Sequence, residues 1–286
     1  ELDLPRTESG FPEIPDERDD FHIIISQMHL AFMLLHNRLT MDLRDRYPRQ
    51  SSAWIFDTAR RECCRMYQWI IVNDFLRRVC DHAALDAAWH AAEIAALDPG
   101  RSPGKAKRKI ALEFVLAGYR FGHSMVRSSY ALNDALPRRP IFHPRGSTEW
   151  NADWRGHRKL PVHWSVQWNL FFSYPNSTPQ KARCMSTSIA SSFGDLPAFT
   201  VADDHKRRGI VNLAERTLRA GQEALLPSGQ DVAREILRGI PPRLQADSVK
   251  IVDPGQYDPL WYYILREAFE ASGGRTLGPV GTWIVA

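Results

Sequence analysis

The chain has 286 residues, 44% hydrophobic and 24% charged, which excludes a disordered tail and supplies apolar surface for a sizeable core. Its 17 Gly and 19 Pro follow no period, excluding collagen-like and repeat architectures, and a net charge of +4 is too small to require nucleic acid. No apolar run approaches the roughly 20 residues of a membrane-spanning helix, so a soluble chain without a membrane span is expected.

Residues 1–16 are proline-rich and acidic and read as an extended lead-in. From 20 to about 45 the pattern turns helical, with Ile25, Met28, Phe32, Leu35 and Leu39 on one stripe. A second helix is predicted over 52–81, burying Ile55, Ala59, Cys63, Met66 and Ile70. The alanine-rich run 85–97 is helical and ends in a loop carrying Pro99, Gly100, Pro103 and Gly104. A third strong helix spans about 107–127, its stripe of Leu112, Leu116 and Tyr119 ending on His123. Prolines, tryptophans and short apolar runs make 136–180 irregular, and helical patterning returns at 210–225, 230–237 and 259–271. A glycine-punctuated turn over 273–281 leads into an apolar end. No alternation persists long enough for a sheet, so the fold is predicted to be mainly α, in one domain covering 1–286.

Thirty of the thirty-seven basic residues are Arg, which either codon composition or fixed recognition of carboxylate and phosphate explains. The four cysteines, Cys63, Cys64, Cys80 and Cys184, lack paired metal spacing and read as reduced, mostly buried thiols. With no signal peptide visible, a cytoplasmic chain is expected; it opens on Glu1, consistent with an upstream segment removed or not included.

Several residues could carry chemistry. A neutral imidazole leaving an apolar helix is what an axial haem ligand looks like, and Gly122 before His123 would admit a flat ligand or another backbone. Taken alone, a lone histidine on an apolar face is more often a satisfied core residue, and spacing by itself favours that reading for His123. His29 and His36 lie roughly 10.5 Å apart along a helix, too far to share a metal. Lys105, Lys107, Arg108 and Lys109 could attract an anion, but without interleaved aromatics they read as a solvated face. Asp19, Asp20, Asn73, Asp74 and Asp81 could chelate magnesium and a diphosphate, as in helical terpene cyclases; alternatively Asp20 is a helix N-cap and Asp19 complements the dipole.

Read together, these segments resemble the animal-type haem peroxidases of the peroxidase–cyclooxygenase superfamily, especially the bacterial branch. Asp16-Glu17-Arg18-Asp19-Asp20 is similar to the family's catalytic-arginine motif. Ser26-Gln27-Met28-His29-Leu30-Ala31-Phe32, His36-Asn37-Arg38, Ala59-Arg60-Arg61 and the run from Tyr67 through Asn73-Asp74 to Leu76 resemble the following helices. Tyr119-Arg120-Phe121-Gly122-His123-Ser124-Met125-Val126 is the most specific stretch. Leu226-Pro227-Ser228-Gly229-Gln230 and Leu277-Gly278-Pro279-Val280-Gly281 resemble the bacterial branch.

The resemblance implies a mainly helical core, non-covalent haem b, His123 as proximal iron ligand, and Arg18 on the distal side polarising peroxide. It also implies peroxide-dependent oxidation of an organic or halide donor, in bacterial secondary metabolism or detoxification. The departures are equally specific. The family's distal histidine and calcium loop lie upstream of the arginine and have no match here. The acid that bonds covalently to haem in mammalian members falls at Phe21, followed by His22, so no covalent link is expected there. The proximal asparagine falls at Thr217 and the haem-carboxylate arginine at Ala220, with Arg219 the nearest arginine. Arg120 stands where cyclooxygenases carry a radical tyrosine. Three readings stay open: the distal base comes from an absent segment, from a second chain, or not at all. In the last case the scaffold is a haem-free magnesium-dependent lyase or a non-catalytic interaction protein.

Overall fold

The computed structural model describes residues 2–96, 110–143, 152–197, 209–239 and 251–286. The loop at 99–104 and the basic run at 105–109 lie outside them. Helices, short 3-10 turns and isolated bridges account for the regular structure, with no extended strand among the described residues, as the patterning predicts. No described helix is long and apolar enough to cross a membrane. The chain gathers into two compact units: Glu1–Ile71, Arg127–Lys181 and Ser191–Val211 form the first; Val72–Val126, Ala182–Ala190 and Asn212–Ala286 form the second.

In the first unit Asp16 caps a 3-10 turn, Glu17–Asp20, by accepting from the Arg18 amide. Helix α1 (Ile23–Arg46) starts where the Ile23 amide donates to the Trp154 carbonyl at 2.9 Å. That anchor sets the rotation of the helix. Its buried stripe is Ile23, Ser26, Gln27 and Leu30, one helical face but not the predicted one, and Ile25 is exposed. Helix α2 (Ser52–Ile70) packs on α1 and is capped by Ser51, which accepts from the Trp54 amide. It buries Ile55 and Ala59 as predicted, but Cys63 is only half-buried and Met66 and Ile70 are exposed. The predicted helix over 52–81 runs on to Val79, but not as a single α-helix. A π-helical turn, Ile71–Phe75, inserts an extra residue per turn and re-phases the chain before α3 (Leu76–Val79), which buries Leu76 and Val79.

Residues 152–181 are irregular, with 3-10 turns at Val162–Trp164 and Trp168–Leu170. Trp154, Trp164, Leu132 and Val166 close over Ile23 to form a core. Gly156 is required there: a Cβ would lie 1.6 Å from the Asp20 carbonyl oxygen.

The second unit is built on α8 (Leu260–Ser272), whose Trp261, Tyr263, Ile264, Leu265 and Ala268 are buried. Around it pack α6 (Leu213–Glu223), α7 (Gly229–Gly239), α9 (Pro279–Val285) and a 3-10 segment, Gly118–Met125. Helix α4 (His82–Ala96) is capped by Asp81, whose carboxylate accepts from the Ala84 amide at 2.8 Å. The Thr282 hydroxyl of α9 accepts from the Asp81 amide, tying α9 to the start of α4.

The helix predicted over 107–127 is broken. Helix α5 (Leu112–Leu116) stops at Ala117, which leaves helical geometry at φ −132°, ψ −65°, and the chain continues as the 3-10 segment. The cause is tertiary: Gly118 packs so closely on α9 that a Cβ would sit 2.4 Å from the Ile284 side chain. The predicted stripe is correspondingly displaced, with Leu112 and Tyr119 exposed and Ala117, Phe121 and Ser124 buried. The thiol expectation also needs correction. Cys80 alone is buried, its pKa pushed up to about 11 by that burial, while Cys64 and Cys184 are exposed.

Candidate active site

His123 lies on the 3-10 segment, its position set by the break at Ala117 and by Ser124, whose buried hydroxyl donates to the Phe121 carbonyl at 2.9 Å. The imidazole meets the Trp261 ring edge-on, centroids 6.3 Å apart at 67°. Trp261 is fixed in turn, its indole N–H donating to the Arg120 carbonyl at 3.0 Å. Burial, with Arg120 adding repulsion, holds the His123 pKa down at about 4, so the ring is neutral at pH 7 and carries a ligating lone pair. No described atom comes within 4 Å of where a Gly122 Cβ would stand. The backbone approach that glycine could have served is not made there.

Trp261 also lines a cavity of about 400 Å3 between α6 and the start of α8. Thr217 lines it from α6, 1% exposed, its hydroxyl without a hydrogen-bond partner among the described residues. Of the residues named from sequence as members of one site, His123 touches the Trp261 ring and Thr217 lines the cavity that Trp261 also lines. Arg219, two positions along α6, turns outward: it is 55% exposed and pairs with Glu215 at 2.8 Å.

Arg18 belongs to the first unit. Its side chain is 74% exposed and chelated by Asp16, whose own pKa the guanidinium pulls down to about 2. Phe21 stacks obliquely on His157. His22 is neutral, burial lowering its pKa to about 4, and it packs against Phe142.

The acidic residues do not converge. Asp20 is not the cap of α1; His22 occupies that position, and Asp20 is fully buried. It accepts two bonds from Arg6, at 2.7 and 2.9 Å, and one from the His157 amide. Asp19 holds the His29 ring nitrogen at 2.9 Å, Asp74 pairs with Arg78, and Asp81 caps α4. Among the described residues no three His, Cys, Asp or Glu side chains are grouped to hold a metal ion. Trp261 and Arg6 were not singled out from sequence. The signals were faint: an aromatic on the apolar face of a predicted helix, and a lone cation in an acidic lead-in.

A family model described as animal haem peroxidase matches residues 5–160, a segment containing both Arg18 and His123. The solved structure of peroxidase A from Dictyostelium discoideum superposes with a TM-score of 0.58 at 15% identity. The alignment covers 99% of this chain and 52% of that one, so the chain spans about half the length of its structural relative. No curated protein matches the sequence.

Proposed function

The chain belongs to the animal haem peroxidase family, and on that premise we propose that it is a haem-binding oxidoreductase that uses peroxide to oxidise an organic or halide donor. The observation carrying this reading is His123, a neutral imidazole held edge-on by a buried tryptophan inside the family-matched segment. The residues fit the group. His123 would ligate the iron, the open space beside Gly122 would accept a flat molecule, and Thr217 would lie on the proximal side. Arg219, facing solvent beside Glu215, is the weaker of the two proximal candidates. Phe21 and His22 offer neither carboxylate nor thioether, so the haem b would be held non-covalently.

When bound, haem supplies the redox chemistry of peroxide reduction. The protein's own part is orientation and charge. Trp261 restricts rotation of the His123 ring, and burial keeps that ring deprotonated. Arg18 would stabilise negative charge developing on peroxide, with Asp16 fixing the guanidinium. It cannot act as the base, because a guanidinium stays protonated at any working pH.

Haem titration tests the assignment. The wild-type chain should take up haem with a Soret band, and His123→Ala should lose most of that uptake. Unchanged occupancy with an unchanged spectrum would remove His123 from the site.

A further inference from the structure

The geometry points to the cavity between α6 and the start of α8 as a binding site for a neutral, single-ring aromatic molecule carrying one hydrogen-bonding group, a phenol being the type, with Thr217 as its polar contact. The argument begins with the polar atoms on the cavity wall. Asp258 accepts from the Gln230 amide nitrogen at 2.9 Å and faces Arg266, and the Ser228 hydroxyl bonds to Asp231 at 2.7 Å. Trp261 donates away from the cavity to the Arg120 carbonyl. The main chain at the end of α6 is closed on itself, Leu225 and Leu226 donating to the Gln222 and Gly221 carbonyls. Gln222 and Tyr257, also on the wall, are exposed residues whose polar ends can reach water, so the Thr217 hydroxyl is the buried polar group that remains.

A threonine inside a helix ordinarily bonds back to the carbonyl three or four residues earlier. Thr217 does not, although it is 1% exposed. A buried hydroxyl kept without a protein partner has a strong preference for any group that brings one. One turn further along α6, Gly221 leaves side-chain space on the same wall. The remaining walls, Trp261, Tyr257, Pro227 and Pro259, are flat, which suits a ring. Among the described lining residues the one charged side chain, Asp258, is already paired, so a neutral molecule suits the site better than an ion. A volume of about 400 Å3 lies within the range of small-ligand pockets. This site stands on the protein alone and does not rest on haem at His123.

Isothermal titration of the full chain with 4-methylphenol and with toluene separates the ring from the hydroxyl. The wild type should bind both, 4-methylphenol more tightly. Thr217→Val keeps the shape and removes the hydroxyl, so it should weaken 4-methylphenol roughly three- to tenfold and leave toluene unchanged. Gly221→Leu fills the cavity while improving helix propensity, and should abolish both. Circular dichroism confirms that each variant is folded. Absence of 4-methylphenol binding to the wild type, or equal binding by Thr217→Val, overturns the proposal. The haem titration of His123→Ala can fail independently of either result.

Discussion

The two compact units bury polar groups by opposite means. The first unit compensates charge with charge. Asp20 and Arg6 form a pair whose side chains are 0% and 5% exposed, and the fully buried Asp153 accepts from Arg155 at 2.8 Å while facing Arg158. Tryptophans finish the job: the Arg139 guanidinium lies 4.9 and 5.2 Å from the ring centres of Trp154 and Trp164, and Arg158 lies over Trp164. Among its described residues the second unit buries one acid, Glu267, with no described cation among its hydrogen-bond or ion-pair contacts. Among the described residues its carboxylate accepts from the main-chain amides of Val280 and Gly281, at the start of α9. Backbone dipoles alone leave a buried acid able to titrate.

Breaking the first arrangement should cost the most. Asp20→Asn leaves the Arg6 guanidinium buried with only the partly exposed Asp3 to balance it, and loss of one partner of a buried pair costs about 3–5 kcal/mol. Equilibrium denaturation measures this, and a cost under about 1 kcal/mol would mean that charge pairing does not hold the first unit together.

The second unit should answer to pH instead. Burial outweighs the two amide bonds, and the Asp81 charge adds to it, so Glu267 is pushed up to about 7 from 4.5. Between those values the folded state binds more protons than the unfolded state. Stability from this group is therefore full below pH 4.5 and is lost as pH rises through 7, on the order of 3 kcal/mol. His22 and His123, both lowered to about 4 by burial, move stability the opposite way below pH 6.5. The Glu267 step is therefore read as a difference: the Tm of the wild type minus that of Glu267→Gln should fall between pH 5 and pH 8. A difference that stays constant over this range would refute the contrast.

A smaller effect concerns how helices end within the second unit. Helix α8 closes on Gly273 at φ 65°, but α6 closes on Leu225 at φ 53°. The bonds from Leu225 to Gln222 and from Leu226 to Gly221 form a Schellman motif with a side chain where glycine is favoured. Leu225 is 88% exposed, so Leu225→Gly forfeits little packing and relieves the left-handed strain. A gain of about 0.5–1 kcal/mol is expected by thermal or urea unfolding.

Much of this molecule was legible in the chain because it is decided locally. Periodicity locates α1, α2, α4, α6, α7 and α8 near their observed positions, and caps such as Ser51 and Asn212 sit where short polar side chains can satisfy the first amides. The ordered motifs around Arg18 and His123 were enough for the family. Which face of a helix is buried was less legible. On α1 the Trp154 carbonyl, more than a hundred residues away, chooses Ile23 and Leu30 over Ile25 and Met28. Asp20 reads as a cap by position and becomes a buried anchor only because Arg6 and the His157 amide converge on it.

The sequence by itself determined the helical class, most element positions and the identity of His123 as the residue to examine, since propensity, capping and motif order are properties of neighbouring residues. Tertiary structure alone decided the setting of that histidine. The continuous helical pattern over 107–127 is interrupted because Gly118 presses on Ile284 of α9, a contact across 166 residues that no local period encodes. The same packing brings Trp261 edge-on to the imidazole and leaves Thr217 facing a cavity, because side chains distant in sequence share a wall only once α6 and α8 have met.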